Sequence, residues 1–244
     1  MELSQHKILI TGATRGIGLA LAKKFLSLNN RVIITGRNEA DLDSIQKQYP
    51  TLATFMGDLA VPADLDRLIL FIEREHPDLN ILINNAGIQY NYLFAEEPHI
   101  FSKIDYEMTV NFLAPAKLTA ALLPILMANH RSAIINVSSG MAIVPKKLAA
   151  VYSASKAAMH LFSQSLRYQL PNTRVFELIP PLVATDMTQG RGKGKISADQ
   201  LADAFVICFK HDRFEANIGK IRLLRILHRL WPRLADRIIN NNDG

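Results

Sequence analysis

The sequence predicts an α/β fold in three layers, α/β/α, with a doubly wound parallel sheet at its centre. Short runs that are apolar throughout, such as KILIT (7–11), RVIIT (31–35) and ILIN (81–84), alternate with longer segments of helical spacing. Strands that are apolar on both faces are typical of a parallel sheet covered by helices on both sides. A glycine-rich turn after the first run adds the feature that defines a Rossmann-type sheet.

The remaining elements continue this alternation along the chain. Apolar runs bounded by turn residues predict strands, and apolar residues that recur every three or four positions predict helices. Further strands are predicted at 51–58, 132–139 and 174–179, with a weak last strand at 213–219. Helices are predicted at 17–28, 39–48, 62–75, 106–128 and about 150–170.

Composition narrows the class of protein. With 244 residues, 49% hydrophobic and 20% charged, the chain is typical of globular proteins and unlike disordered or fibrous ones. One cysteine, Cys208 in the apolar run AFVICF, excludes an internal disulfide and is expected in the core. No signal peptide is apparent, and the apolar stretch 118–128 is too short to span a bilayer. We therefore expect a cytoplasmic protein without a transmembrane helix.

The chain divides into a single domain, 1–219, and a basic amphipathic helical tail, 220–244. Residues 191–244 hold 11 Lys or Arg and 6 Asp or Glu, whereas residues 1–190 are nearly neutral. In the tail, arginines recur every four residues from 225 to 237, apolar residues form another face, and Pro232 should split it into two helices. Packing on the domain or on a sister subunit, contact with an anionic membrane, and nucleic-acid binding are alternatives, the last being the least favoured.

A phosphate-binding turn is predicted where TGATRGIG (11–18) joins the first strand to the first helix. Glycines allow a sharp turn and a close approach of the ligand, and the helix amides then face a pyrophosphate. The order is G-x-x-x-G-x-G, and an ordinary strand–helix turn is the alternative. The residues expected to contact the dinucleotide here are Gly12, Thr14, Arg15, Gly16, Ile17 and Gly18.

The end of the second strand predicts which dinucleotide is bound. NAD-binding domains usually carry an acidic residue there to hold the ribose hydroxyls. This chain has Gly36 and Arg37 instead, with Arg15 in the glycine turn. Two guanidinium groups near the ribose favour a 2′-phosphate, so we expect NADP(H) to be preferred over NAD(H). The alternative is that Arg37 merely begins a solvent-exposed helix.

A tyrosine and a lysine in YSASK (152–156) form a candidate catalytic pair. Tyr152 and Lys156 lie four residues apart, which places them on one face of a helix. Ser139 precedes Tyr152 by thirteen residues and follows a predicted strand, at the end of the sheet where ligands bind. A surface Tyr–Lys pair on an interface helix is the alternative.

These motifs together resemble the short-chain dehydrogenase/reductase family. The resemblance covers roughly residues 5–190 and rests on TGATRGIG, GDL, NNAG, VN, SSG, YSASK and IPPLVATDM in that order. The family commonly has Pro-Gly where this chain has Pro180-Pro181, and Pro181 lacks a backbone donor. The Pro-Pro and Thr-Asp pattern, with GIQ after NNAG, is similar to the DltE-like branch of that family.

The resemblance implies roles for individual residues. Tyr152 would exchange a proton with the substrate oxygen, Lys156 would lower the tyrosine pKa and hydrogen-bond the nicotinamide ribose, and Ser139 would polarise the carbonyl. Tyr152 and Lys156 are thus also expected to contact the cofactor. Asn111 would hold a water that links Lys156 to solvent. A nearby ammonium favours the phenolate, which gives the proposed effect of Lys156 a physical reason. Further cofactor contacts are implied for Asp58, Leu59, Asn85, Ala86, Gly87, Pro180, Val183 and Thr185.

The resulting prediction is an NADPH-dependent oxidoreductase that transfers a hydride between nicotinamide and a carbonyl or secondary alcohol. A catalytically silent NADP(H)-binding regulatory protein and a membrane-peripheral enzyme on lipid-like substrates are the alternatives. Tyr90, Tyr92 and Phe94, together with 141–147 and 187–195, are candidate walls of the substrate pocket. We expect a homodimer or homotetramer by resemblance, no metal because no histidine has metal-ligand spacing, and no nucleic-acid partner.

Overall fold

The structure, a computed structural model, describes residues 1–241, and the last three residues of the predicted tail, 242–244, lie outside the described residues. The strands are β1 (Lys7–Ile10), β2 (Arg31–Gly36), β3 (Ala53–Met56), β4 (Ile81–Asn84), β5 (Ser132–Val137), β6 (Thr173–Ile179), β7 (Val183–Ala184), β8 (Ile196–Ser197) and β9 (Glu215–Asn217). The helices are α1 (Gly16–Ser27), α2 (Glu39–Gln48), α3 (Pro62–Glu75), α4 (Ile100–Met108), α5 (Ala114–Met127), α6 (Ala150–Gln169), α7 (Ala198–Lys210), α8 (Ile221–Leu230) and α9 (Pro232–Asn240).

Seven strands form one parallel sheet in the order β3-β2-β1-β4-β5-β6-β9, and β7 pairs with β8 beside it. The register places Ile8 opposite both Val32 and Ile81, so β1 lies between β2 and β4. The chain therefore builds the sheet outward in both directions from β1. The predicted fold class is confirmed: a doubly wound, Rossmann-type parallel sheet between two helical layers.

Successive strand residues supply the two halves of the core. Ile8 and Ile10 of β1 pack with α1 and α7, where Phe25, Phe205 and Phe209 are fully buried. Leu9 points to the opposite face and packs with α3, α5 and α6. Burial on both faces is the physical reason that the strands read as continuous apolar runs. Cys208 is buried in the first of these clusters, as predicted.

Helix α7 is the element that the sequence analysis missed. Its start carries a capping box, in which Ser197 Oγ accepts from the Gln200 amide while the Gln200 side chain accepts from the Ser197 amide. A serine followed three residues later by glutamine before an apolar run is a recognisable helix start. That signal was present in the sequence and would have predicted α7.

The predicted helix at 106–128 is longer and less regular than expected, because helical structure begins at Ile100. A π-helical turn, Thr109–Leu113, joins α4 to α5, and the Ala114 amide bonds to the Thr109 carbonyl. Pro115 cannot donate the next α-helical hydrogen bond, which favours this local shift of the ladder. The helical stretch Ile100–Met127 is long and apolar enough to span a membrane, but core helices often have the same length and composition. Leu118, Leu122 and Leu126 of this stretch are buried in the core.

Candidate active site

A cavity of about 810 Å³ opens at the carboxyl ends of the strands, where the strand order reverses between β1 and β4. Doubly wound sheets bind their ligands at this position. All residues predicted to contact the cofactor line this cavity except Val183, which is buried in β7. Of the candidate catalytic residues, Tyr152 and Lys156 line the cavity, whereas Ser139 and Asn111 are not among its lining residues.

The glycine turn between β1 and α1 has no room for side chains on its inner side. Gly12 adopts a left-handed conformation with φ of +62°, and a Cβ there would lie 2.8 Å from Ala86 Cα. A Cβ on Gly18 would lie 2.7 Å from the Gly12 carbonyl oxygen. The start of α1 is thereby held beside the cavity, with its amides available to a phosphate. The turn has the shape that a dinucleotide pyrophosphate requires.

Thr11 and Asn85 fix the glycine turn to the end of β4. The Thr11 hydroxyl accepts from the Asn85 and Ala86 amides, each at 3.1 Å. The Asn85 side chain donates to the carbonyls of Thr11 and Gly12, each at 2.9 Å. The sequence analysis assigned Asn85 to cofactor contact alone. The structure shows that its amide also orients the phosphate-binding turn.

Two arginines that line the cavity, one after β2 and one in the glycine turn, are each paired with a carboxylate. Arg37 donates to the Tyr106 hydroxyl at 2.6 Å and lies 3.7 Å from a carboxylate oxygen of Asp58. Tyr106 in turn donates to Asp58 at 2.8 Å, and Arg15 pairs with Asp186 at 3.4 Å. Tyr106 lines the cavity and was not predicted, because its position on α4 follows no local motif.

Gly36 occupies the position where an acidic residue would select an unphosphorylated ribose. A Cβ at this position would lie 2.3 Å from Thr14 Cγ2 and 3.2 Å from Leu42 Cδ2. A side chain here would therefore displace the glycine turn or helix α2. The packing explains why the end of β2 carries glycine, and Arg37 is the first charged residue that follows this strand at the cavity.

Helix α6 presents Tyr152 and Lys156 to the cavity from one face. The Lys156 ammonium donates to the Val137 carbonyl at 2.8 Å and lies 5.8 Å from the Tyr152 ring centroid. Both side chains are buried. Ser139 follows β5, and its hydroxyl accepts from the Met141 amide at 3.2 Å while also hydrogen-bonding to Tyr152. The three residues predicted from the sequence therefore converge at one point.

Burial dominates the protonation of this cluster. It raises the pKa of Tyr152 to about 12, although the hydrogen bond from Ser139 and the charge of Arg191 oppose the rise. It also lowers the pKa of Lys156 to about 8, opposed by the carboxylates of Glu107 and Glu177. The family resemblance implies that Lys156 lowers the tyrosine pKa. The loss of hydration is the largest contribution to the tyrosine pKa, so Tyr152 retains its proton at neutral pH, and the effect of Lys156 stays a prediction.

Glu107 is a buried carboxyl group beside the catalytic cluster that the sequence analysis did not identify. Only 1% of its surface is exposed. One oxygen accepts from the Tyr90 amide at 3.1 Å, and the other has no hydrogen-bond partner within residues 1–241. Burial raises the pKa of Glu107 to about 7, while the Tyr90 amide and the charge of Lys156 lower it. A glutamate within a helix gives no sequence signal of such burial.

Asn111 lies in the π-helical turn and connects three elements. Its side-chain oxygen accepts from the Ile88 amide at 2.8 Å, and its nitrogen donates to the Ile88 carbonyl and to Ser155 Oγ at 2.9 and 3.1 Å. These bonds fix the segment after β4 and the helix that carries Tyr152. In this structure the side chain of Asn111 thus acts as a positioning group, and its expected link to a water remains a prediction.

The predicted substrate walls are only partly assembled around the cavity. Tyr90 lines it, whereas Phe94 is exposed and Tyr92 is packed beside Lys103. The ammonium of Lys195 is bonded to the Thr188 carbonyl, so this lysine organises its own loop. Within residues 1–241, no group of three or more His, Cys, Asp or Glu side chains is arranged to hold a metal ion.

Fold and cavity define the class of protein as a dinucleotide-binding oxidoreductase. The family model for short chain dehydrogenases matches residues 6–195. The uncharacterized oxidoreductase DltE of Bacillus subtilis is 37% identical over 233 residues, covering 92% of each chain. The chain therefore belongs to the short-chain dehydrogenase/reductase family and is an enzyme of that family. Its predicted similarity to the DltE-like branch is confirmed by this relative.

Three further comparisons show the range of similar proteins. A very-long-chain 3-oxoacyl-CoA reductase of Anas platyrhynchos is 32% identical over 190 residues, covering 74% of this chain and 60% of that protein. A short chain dehydrogenase from Burkholderia cenocepacia, solved in complex with NADP, has a TM-score of 0.86 and 25% identity, covering 98% and 99% of the two chains. A short chain dehydrogenase/reductase from Burkholderia phymatum, solved in complex with NAD, has a TM-score of 0.80 at 19% identity, covering 94% and 96% of the two chains, and shows the shared fold. The Burkholderia cenocepacia structure supports a nicotinamide cofactor for this family member.

Proposed function

We propose that this protein is an NADPH-dependent reductase of carbonyl compounds, or in reverse a dehydrogenase of secondary alcohols. The observation that carries this proposal is the buried Tyr152, which keeps its proton next to Ser139 and Lys156 in a cavity with a phosphate-binding turn. Bound NADPH would supply the hydride to the carbonyl carbon. Tyr152 would donate its hydroxyl proton to the carbonyl oxygen, which completes the alcohol.

The neighbours of Tyr152 suit this proton donation. Ser139 would donate a hydrogen bond to the substrate oxygen as negative charge develops there. The Lys156 ammonium, held by the Val137 carbonyl, would stabilise the tyrosinate left after the proton has moved. Burial raises the pKa of Tyr152 to about 12, so the group is protonated at neutral pH, as the acid of the reductive direction must be.

The preference for NADPH is supported by the end of β2. Gly36 leaves no acid to hold a free ribose, and a side chain there would collide with Thr14. Arg37 and Arg15 line the cavity and are more than half exposed, and their ion pairs with carboxylates are of the weak, solvent-exposed kind that a 2′-phosphate could replace. We therefore propose that these arginines bind the phosphate that distinguishes the two cofactors.

The proposed substrate is a lipophilic carbonyl compound. Tyr90 and Met187 line the part of the cavity that we assign to the substrate. The positive charge of Arg191 lowers the pKa of Tyr152 from nearby. Apolar walls favour a lipophilic substrate. The similarity to a very-long-chain 3-oxoacyl-CoA reductase supports the lipid-like alternative within the same chemistry.

One experiment tests both halves of the proposal. NADPH and NADH are titrated calorimetrically into the wild-type protein, Arg37→Asp and Tyr152→Phe, and the same proteins are assayed against a panel of ketones and aldehydes. We expect tight NADPH and weak NADH binding by the wild type, and loss of that preference in Arg37→Asp. Tyr152→Phe should bind NADPH normally but lose about 10²–10⁴-fold in turnover.

The outcomes separate the alternatives. Binding of NADPH without turnover of any carbonyl would favour the catalytically silent regulatory protein. Turnover that survives in Tyr152→Phe would exclude the tyrosine as the acid. Failure of the wild type to bind either cofactor would overturn the redox function altogether. Arg74→Asp, in the last turn of α3, is the matched charge control and should leave cofactor preference unchanged.

A further inference from the structure

The C-terminal helices α8 and α9 expose a continuous apolar ridge. It is formed by Leu223, Ile226, Leu230, Trp231, Leu234 and Ile238, all of which are more than 40% exposed. On α8 the first three recur at spacings of three and four residues, which places them on one face. Trp231 lies at the bend, and Pro232 begins α9. An apolar surface of this size is typical of an interaction site.

The opposite face of the two helices is already used within the molecule. Ile221 and Ala235 are buried, and Ile221 lies so close to Gly140 that a Cβ on that glycine would be 2.8 Å away. Arg225 pairs with Glu215 of β9, and Asn240 accepts from the Lys147 amide at 2.6 Å. The helices are therefore anchored to the segment that follows Ser139, and the ridge points outward from the substrate side.

Basic side chains flank the ridge. Residues 220–241 contain six Lys or Arg and one acidic residue, Asp236. Arg229, Arg233 and Arg237 are exposed beside the ridge, and the last two line a groove at the bend together with Trp231. A second copy of the chain would bring arginines against arginines across a two-fold axis. An anionic surface complements this arrangement, whereas a copy of the protein opposes it.

We propose that α8 and α9 form a docking surface for anionic lipid bilayers. The apolar ridge inserts into the boundary between headgroups and acyl chains, with Trp231 at its centre, and the flanking arginines contact lipid phosphates. The surface lies next to the segment 140–147, beside the candidate active site. Membrane binding itself does not depend on the proposed enzymatic function.

The single tryptophan provides a direct test. Trp231 is the chain's one tryptophan and is 60% exposed, so its emission should shift to shorter wavelength when the ridge enters a bilayer. Full-length protein is titrated with vesicles of phosphatidylcholine alone and of phosphatidylcholine with phosphatidylglycerol, and co-sedimentation is measured in parallel. We expect a blue shift and co-sedimentation with the anionic vesicles, both weakened by added salt.

Two variants and their matched controls define the surface. Leu234→Ser and Arg233→Glu should each weaken binding to anionic vesicles by about tenfold or more. Leu70→Ser changes a leucine of nearly equal exposure on α3, 46% against 45% for Leu234, and Arg74→Glu reverses a charge on the same helix. Neither control should change vesicle binding.

Three results would overturn the proposal. These are absence of a blue shift with anionic vesicles, equal loss of binding in the controls, and a blue shift that depends on protein concentration without vesicles. The last would assign the ridge to a second copy of the chain. Calorimetric NADPH binding, measured on the same samples, separates failure of this proposal from failure of the proposed enzymatic function.

Discussion

At the scale of single residues, a carboxyl group and an amide complete the catalytic cluster. Glu107 lies near Lys156 and Tyr152, and its carboxyl group contributes to the pKa shifts of both. Asn111 holds the backbone of Ile88 and the hydroxyl of Ser155 in place. The pKa of Lys156 thus depends on Glu107 of α4, and the position of the helix that carries Tyr152 depends on Asn111 of the π-helical turn.

The pH dependence of stability should identify the buried carboxyl. The folded-state pKa of Glu107 is raised from 4.5 to about 7, so its contribution to stability is fully present below about pH 4.5 and is lost as pH rises through 7. Glu107→Gln stays neutral at every pH. We therefore expect the variant to gain on the order of 2–3 kcal/mol over the wild type at alkaline pH and little at about pH 5.

Thermal unfolding across this pH range measures the difference. Glu96→Gln removes an exposed carboxyl from the segment before α4 and serves as the control. Glu96→Gln should unfold close to the wild type, because the side chain that it replaces is exposed. A difference for Glu107→Gln that does not grow with pH would contradict a carboxyl group that titrates near pH 7. The variant should also lower the pKa of Lys156 further, because the opposing charge is removed.

At the scale of elements, the turn between β1 and α1 determines whether the cavity can accept a dinucleotide. Its shape rests on contacts with the segment after β4, through Thr11, Asn85 and Ala86. Those contacts are possible because β1 and β4 are hydrogen-bonded neighbours. The glycines are therefore required for two reasons: they let the ends of β1 and β4 pack closely, and they let a ligand approach the turn.

Two glycines with similar φ angles allow the cost of a strained backbone to be distinguished from the cost of a steric collision. Gly12 and Gly190 have φ of +62° and +74°, but only Gly12 lies against another backbone, since a Cβ on Gly190 would meet nothing within 4 Å. Gly12→Ala should cost about 2–4 kcal/mol and weaken NADPH binding by about tenfold or more. Gly190→Ala should cost about 1 kcal/mol and leave NADPH binding unchanged. Denaturant unfolding and calorimetry measure both, and equal losses would argue against the collision.

At the scale of the whole molecule, a second exposed surface lies on α4 and α6. Phe101, Leu161 and Tyr168 are exposed there, Tyr168 by 88%. The resemblance predicts a homodimer or homotetramer, and exposed apolar side chains on two helices that contact each other suit such an interface. We propose that this surface forms a homodimer or homotetramer, independently of the ridge on α8 and α9.

Light scattering on the eluting protein tests this assembly. The mass should be two or four times the 27.3 kDa of one chain. Leu161→Glu should reduce it, because a buried charge destabilises an apolar interface. Leu223→Glu changes a leucine of similar exposure on α8 and should leave the mass unchanged. A monomer in the wild type, or loss of assembly in Leu223→Glu alone, would contradict the proposal.

The sequence by itself predicted the sheet, the glycine turn and the candidate catalytic residues that the structure brings together. These features are local: apolar runs, a strand–turn–helix motif, and a Tyr–Lys pair one helical turn apart. Even α7, which was missed, carries its signal in the capping box at Ser197. The outer face of α8 and α9 was likewise readable from its spacing and charge.

Only the tertiary structure decided the environment of these residues. Burial of Glu107, the rise in the tyrosine pKa and the bonds of Asn111 depend on which distant segments pack together, and hydration is lost only when they do. The contact between Ile221 and Gly140 is of the same kind, since it joins segments about 80 residues apart. A sequence pattern specifies which face of an element is apolar, whereas the fold decides what covers it.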